Sequence, residues 1–472
     1  MLETQLSTLL DDAPSGVVET LDLVSGFDEG LVSGFARLGE ERAAALTALA
    51  GAMAATPLAD RVAAAAEKIA GGSVTEEHLS VLAGARIALL GAVHDALLAR
   101  LDTALRRTRA TWPQPPTPNR TTSAGNLFSG CRSWLTELAI AGWRGVDHDL
   151  ISSSDQVLQA LLADPALRRL AVLTDGLATE LHAGSPIGTM ERLPVRRWAD
   201  LWTRALLLSQ AGAGTDDAQA AERVSGRLLI LGVDVHEHST AVQIQVHGVL
   251  ESAGDSPSRL VRTSVAAAKV DTIVGPALWR LLANYPVLLG ALAERRSLEI
   301  TDLPLLDSGD LVWQDDRAKA GDPADPFVTA RVQLADAVAP AVPPLNRHPV
   351  GIAEPVLVEG YTATSSDEHS TVTFAFGNVT IPVAVDRLPS CGPLTPQLVA
   401  ASSACVGLLR WDGGSWSLQP LVVQATVKRK PVVSYTGDWA MGPTDPKVAK
   451  AEAKAGDAVA VLRERAGRLL RK

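Results

Sequence analysis

The sequence predicts an α+β protein: a helical N-terminal half built as a hairpin or bundle, a mainly antiparallel β-rich C-terminal half, and a terminal basic helix. Three observations carry this. Up to about residue 210, apolar residues recur at three- and four-residue steps. Beyond Arg223 the pattern changes to short apolar–polar alternations. Most links between those runs are too short for crossover helices, so the strands should pair antiparallel.

Within residues 1–111 the clearest helix begins near Ser73, which has capping-box spacing to Glu76. It should run from about Val74 to Arg109, with Leu79, Leu82, Leu90, Leu97 and Leu101 on its apolar stripe and Gly84 and Gly91 as points where it breaks or bends. Residues 112–124 hold Pro113, Pro115, Pro116 and Pro118 and read as an extended linker and domain boundary. A second helical unit over 125–210 has candidate helices at Phe128–Ile140, Gln156–Ala163, Ala166–His182 and Pro194–Ser209.

The β-rich domain is expected over 223–440. Its first hairpin is Leu228–Val235 with Ala241–Leu250, and one helix, Pro276–Arg295, interrupts it. Later strand candidates are Phe327–Leu334, Val356–Tyr361, Thr371–Phe376, Val379–Val385, Val406–Trp411, Trp416–Val423 and Val432–Tyr435. Asp412-Gly413-Gly414 is a strong turn signal. The segment 445–472 reads as an amphipathic helix; from Pro446 onward it carries eight basic and three acidic residues in a chain of net charge −10.

Composition narrows the function. The 472 residues are 47% hydrophobic and 20% charged, which fits a globular protein with ample core. The acidic balance argues against non-specific nucleic-acid binding by the whole chain. Three cysteines, Cys131, Cys391 and Cys405, fit a reducing compartment. With no basic, apolar leader at the start and no long uninterrupted apolar run, the expected location is the cytoplasm, without a membrane span. Arginine outnumbers lysine 34 to 9, as in a GC-rich bacterium. No Walker A loop, dinucleotide fingerprint, nucleophile elbow or zincin helix is present, so no cofactor is expected.

Four constellations remain. His236 and His238 share one strand face and His247 could lie across the hairpin, an arrangement able to bind zinc or simply to form a polar hairpin tip. Asp307, Asp310, Asp315, Asp316, Asp322 and Asp325 could hold magnesium, although Gly309, Gly321 and Pro323 read as a solvated loop. Trp198 and Trp202, four apart on a helix beside Arg197, are either core or interface anchors. The basic tail, with Arg463 and Arg468, could meet an acidic partner, nucleic acid or an anionic membrane, or dock on the protein itself, and self-docking or a protein partner is preferred to nucleic acid.

The segment 125–210, with its Arg196-Arg197-Trp198-Ala199-Asp200-Leu201-Trp202 run, and the Trp411-Asp412-Gly413-Gly414 turn resemble uncharacterised actinobacterial proteins that accompany MoxR-type AAA ATPases and von Willebrand factor A (VWA) domain proteins. The resemblance implies an adaptor role beside the ATPase and transfers no catalytic residue. The expected function is therefore a non-catalytic binding or adaptor component of a larger bacterial assembly. Its partner would be a protein such as an AAA ATPase, rather than nucleic acid. The alternative is a metal-dependent hydrolase.

Overall fold

The computed structural model describes residues 3–10, 13–113, 125–164, 167–210, 221–238, 240–252, 254, 256–366 and 371–454. The N-terminal half is helical: α1 (Glu3–Leu10), α2 (Val17–Ser33), α3 (Glu40–Ala52), α4 (Ala59–Ala70), α5 (Glu76–Leu105), α6 (Gly125–Ala141), α7 (His148–Ser152), α8 (Asp155–Ala163), α9 (Arg168–Gly184) and α10 (Val195–Leu208). Helix α5 has 30 residues, about 45 Å at 1.5 Å per residue. Thr75, not Ser73, caps it: the Thr75 hydroxyl accepts from His78 N, and Ser73 contributes its carbonyl to the His78 ring at 2.9 Å. Gly84 and Gly91 lie inside it without breaking it, because packing along its length outweighs their poor helix propensity.

By length and composition α5 could cross a membrane, but 61% of its most apolar window is buried inside the fold, as expected of a core helix. Its first half packs with α2–α4 and α6–α10 in one core, through Leu79, Leu82 and Leu90 against Phe27, Trp134 and Trp202. Helices of both expected units, 1–111 and 125–210, therefore contribute to one core, rather than each to its own. The second half of α5 turns to the β half, where Val93, Leu97 and Leu101 join Val356, Phe374 and Leu409. Of the proline-rich linker, residues 114–124 lie outside the described residues.

Two glycine turns lock the helical half. Gly34 after α2 and Gly142 after α6 adopt φ 83°, ψ 148° and φ 71°, ψ 155°, and each opens a 3₁₀ turn led by a buried aromatic, Phe35 or Trp143. The turns cross so closely that a Cβ on Gly142 would lie 2.1 Å from Gly34 N. Only glycine fits both the dihedrals and the space.

Among the described residues the C-terminal half contains two sheets. The first holds β1 (Glu222–Glu237), β2 (Ala241–Ser252), β3 (Arg259–Ala268), β4 (Arg296–Leu305), β5 (Asp310–Leu311) and β6 (Ala318–Pro323). Strand β1 pairs with both β2 and β4, and β3 reaches β4 through β5, so this sheet closes on itself. The second holds β7 (Ala353–Glu359), β8 (Thr362–Ser365), β9 (Val372–Phe376), β10 (Val379–Val383), β11 (Ser402–Asp412), β12 (Ser415–Val427) and β13 (Lys430–Tyr435), in the order β7-β11-β12-β10-β9-β8 with β13 on β12. Pairings are antiparallel except β3–β5 and β10–β12. The sheets meet where β1 crosses β12: a Cβ on Gly232 would sit 2.4 Å from Leu421 Cβ.

The first hairpin and the Asp412-Gly413-Gly414 turn form as the sequence suggested, with Gly413 and Gly414 at φ 55° and 82°. Phe327–Leu334, expected as a strand, is helix α13 (Pro326–Gln333): Asp325 caps its N-terminus and Pro326 fills the first turn, a start signal that outweighs Val328 and Val332. The single helix expected at Pro276–Arg295 is two, α11 (Leu278–Leu281) and α12 (Pro286–Glu294), separated at Tyr285-Pro286. A further helix, α14 (Pro396–Ala400), precedes β11. Strands β3, β4 and β6 carried no expectation; β4 mixes Glu299, Asp302 and Pro304 with its buried residues, which hides the alternation. Residues 446–454 are helical, and the rest of the expected terminal helix lies outside the described residues.

Candidate functional site

The period of two along β1 puts Val233 and Val235 on one face and Gly232, Asp234 and His236 on the other. Register adds Gln243, Gln245 and His247 from β2, and Arg262 and Ser264 from β3, to that second face. It turns toward the second sheet, where β11 presents Arg410 and β12 presents Gln419. Arg410 Nη2 donates to Asp234 Oδ2 at 2.5 Å, Gln419 Nε2 donates to Asp234 Oδ1 at 2.8 Å, and Arg410 Nε donates to Gln419 Oε1 at 2.5 Å. His236 Nε2 lies 3.1 Å from Asp234 Oδ2 at the outer rim.

Burial pushes the Asp234 carboxyl up, but His236, Arg410 and Gln419 together hold it well below the usual carboxylate range. His247 sits deeper, 3% exposed, with Nε2 lacking a hydrogen-bond partner. Burial lowers its pKa to about 4, with Asp234 and Glu354 opposing and Arg262 and Arg410 assisting. The imidazole is therefore neutral near pH 7.

The seam continues past Arg262, whose guanidinium grips Asp310 at 2.6 and 3.0 Å while Ser308 Oγ donates to Asp310 at 2.7 Å. Glu354 on β7 takes Arg107 at 2.9 Å and Arg109 at 3.1 Å. Arg109 also holds Asp102 near the end of α5, and Arg107 Nη2 donates to Pro355 O at 2.8 Å. Burial raises the Glu354 pKa, and the Arg109 and Arg107 charges overcome it, so the carboxylate stays ionised. Four carboxylates thus face four arginines along a line that ties α5 to both sheets. A second buried cluster lies in the helical half, where Arg86, 0% exposed, is bidentate to Asp28 at 2.6 and 2.9 Å, with Asp200 and His348 nearby.

Among the residues singled out from sequence, His236 and His247 join this seam, whereas His238 is exposed on the hairpin turn. Among the described residues no three His, Cys, Asp or Glu side chains converge as metal ligands. The acidic run is dispersed into structural tasks: Asp310 pairs with Arg262, Asp315 accepts from Val287 N and Leu288 N, and Asp325 caps α13. Trp198 and Trp202 are 1% and 0% exposed, so neither is an interface anchor; Trp202 Nε1 donates to Leu135 O within the core. Arg197 is exposed and paired with Glu180. Arg463 and Arg468 lie outside the described residues.

A cleft of about 130 Å³ opens at one end of the first sheet, lined by Glu222, Arg259, Asp307, Val338 and Pro340. Arg259 is committed there to Glu222 at 2.7 and 3.2 Å. Sequence reasoning missed Asp234, Arg410, Gln419, Arg107, Arg109 and Glu354. The available signal was a charge set inside an apolar strand, as in Leu231-Gly232-Val233-Asp234-Val235 and Gly407-Leu408-Leu409-Arg410-Trp411. No protein family, curated protein or solved structure matches this chain.

Proposed function

We propose that the chain is a non-catalytic binding component, an adaptor in a larger bacterial assembly driven by a MoxR-type ATPase and acting in the cytoplasm. The observation that carries this reading is how its polar side chains are used. The buried carboxylates Asp28 and Asp234, and the partly buried Glu354 and Asp310, are each committed to arginine partners on another element. Such pairing stiffens a scaffold and fixes the register of its parts, while it removes those groups from acid–base work. The adaptor's specificity then rests on its surface.

The free cysteines, all buried, agree with a reducing compartment. The link to the ATPase rests on the resemblance of the 125–210 segment and the Trp411–Gly414 turn. The test is affinity capture of the chain from its native host after mild cross-linking, with the captured proteins quantified. An AAA ATPase or VWA-domain protein recovered in near-equal amount is expected. Recovery of the chain alone, together with a tightly bound stoichiometric metal, would overturn the proposal in favour of the hydrolase.

A further inference from the structure

Lysine is distributed unevenly. Six of the nine lysines lie at or after residue 428, and residues 428–472 carry eleven basic against five acidic side chains in a chain of net charge −10. Two described elements display this charge. The first is the turn between β12 and β13, Lys428-Arg429-Lys430, where Lys428 and Arg429 take φ 50° and 65°. Such a turn ordinarily uses Asn-Gly, so two adjacent cations hold a backbone shape that disfavours them. Val427 and Val432 flank the turn, 39% and 37% exposed.

The second is the helix over 446–454. Asp445 caps it by accepting from Lys447 N and Val448 N at 2.7 and 3.2 Å. Val448 packs on the core that also receives Val433 of β13, and Glu452 pairs inward with Arg280 at 3.2 Å. This fixes the helix rotation and leaves Lys447, Lys450 and Lys454 exposed on one face, at i, i+3 and i+7. Met441, just before the helix, is 66% exposed. Among the described residues none of these six cations has an ion-pair partner, although Arg280 and most arginines of the seam do.

We propose that the lysine face of this helix binds an anionic phospholipid surface as a peripheral contact. The choice of lysine carries the argument. Among the described residues the internal Lys and Arg ion pairs use arginine, with Lys269–Glu237 the exception, because the guanidinium fork fits a carboxylate. Lysine is a hydrated point charge on a flexible stem, suited to a diffuse sheet of negative headgroups rather than to one carboxylate. Met441, next to the helix start, supplies an apolar side chain able to enter the acyl boundary.

Pro431 removes an N–H from β13 and so opposes strand addition by a peptide. No aromatic follows Trp439 on which a base could stack. The sequence beyond 454 continues the same sign through Arg463, Arg465, Arg468, Arg471 and Lys472. This inference goes beyond the adaptor reading and does not depend on it.

The test is co-sedimentation of the full chain with vesicles of phosphatidylglycerol and phosphatidylcholine against phosphatidylcholine alone, at low and high salt. Binding to the anionic vesicles only, lost at high salt, is expected. Each lysine near such a surface changes partitioning about fivefold, so Lys447→Gln/Lys450→Gln/Lys454→Gln should weaken binding on the order of a hundredfold. A control triple of exposed cations in the helical half, Arg37→Gln/Arg61→Gln/Lys68→Gln, should bind as the parent does, with circular dichroism checking that both variants fold. Equal binding to neutral vesicles, no binding to anionic ones, or equal weakening by the two triples would overturn the proposal. Tighter binding to a duplex oligonucleotide at the same salt would also overturn it and make nucleic acid the partner.

Discussion

Asp234 of the first sheet and Arg410 of the second meet at 2.5 Å with side chains 3% and 9% exposed, and this contact joins two sheets that share no backbone hydrogen bond in their ladders. Gln419 and His236 complete the carboxylate's shell. Taking both charges out of water is costly, and the attraction offsets that cost only while both partners are present.

Removing one partner should therefore do more harm than removing both. Asp234→Asn leaves Arg410 uncompensated and is expected to lower stability by about 3–5 kcal/mol, read by urea unfolding. The double variant Asp234→Asn/Arg410→Met should recover part of the loss. Strict additivity of the two single variants would show that the pair is uncoupled.

Acid should loosen the same seam. The folded His247 pKa, about 4, lies below its ordinary value of 6.5. Its contribution is complete above pH 6.5 and is lost as pH falls from 6.5 through 4, because the unfolded chain binds the proton first. A shift of that size is worth about 3 kcal/mol. His348, also held near 4 by burial, loses stability over the same window. The pH profile of chemical unfolding for His247→Gln should be flatter there than the parent's; an unchanged slope would contradict the buried, neutral imidazole.

The helical half has its own buried pair. Arg86→Leu strips Asp28 of its bidentate partner at a site 4% exposed, and we expect a loss of about 3–5 kcal/mol. Burial already raises the Asp28 pKa even with Arg86 present. The variant's carboxyl should therefore take up a proton at higher pH than the parent's, measurable by carboxylate titration in the NMR spectrum.

Trp202 and Arg197 should separate core from surface. Trp202→Ala opens a cavity beside Phe27 and removes the indole donor to Leu135 O, for an expected loss of about 3–5 kcal/mol. Arg197→Ala breaks an exposed pair and should cost under about 1 kcal/mol. Thermal melts of the two variants would tell; similar shifts would contradict the burial of the tryptophan.

The crossing of the glycine turns sets the tightest steric limit. Gly142→Ala must place a methyl carbon within 2.1 Å of Gly34 N while holding φ near 71°. The helices must part, and we expect a loss above about 3 kcal/mol, measured by calorimetry.

The α+β class, the change from helical to strand periodicity beyond Arg223, the long α5, the first hairpin and the Asp412–Gly414 turn were legible from the amino-acid order. These follow from local periodicity and turn chemistry, which act over a few residues. Local chemistry also set α13, through Asp325 and Pro326, although the β-branched residues after them masked it. Tertiary structure alone decided that residues 1–111 and 125–210 share a core, that the first sheet closes through β4, and that Asp234 finds Arg410 from 176 positions away. It also turned Trp198 and Trp202 inward and left the lysines of 447–454 facing out. A buried charge is tolerable only beside its partner, and nothing in the spacing along the chain records which partner will be near.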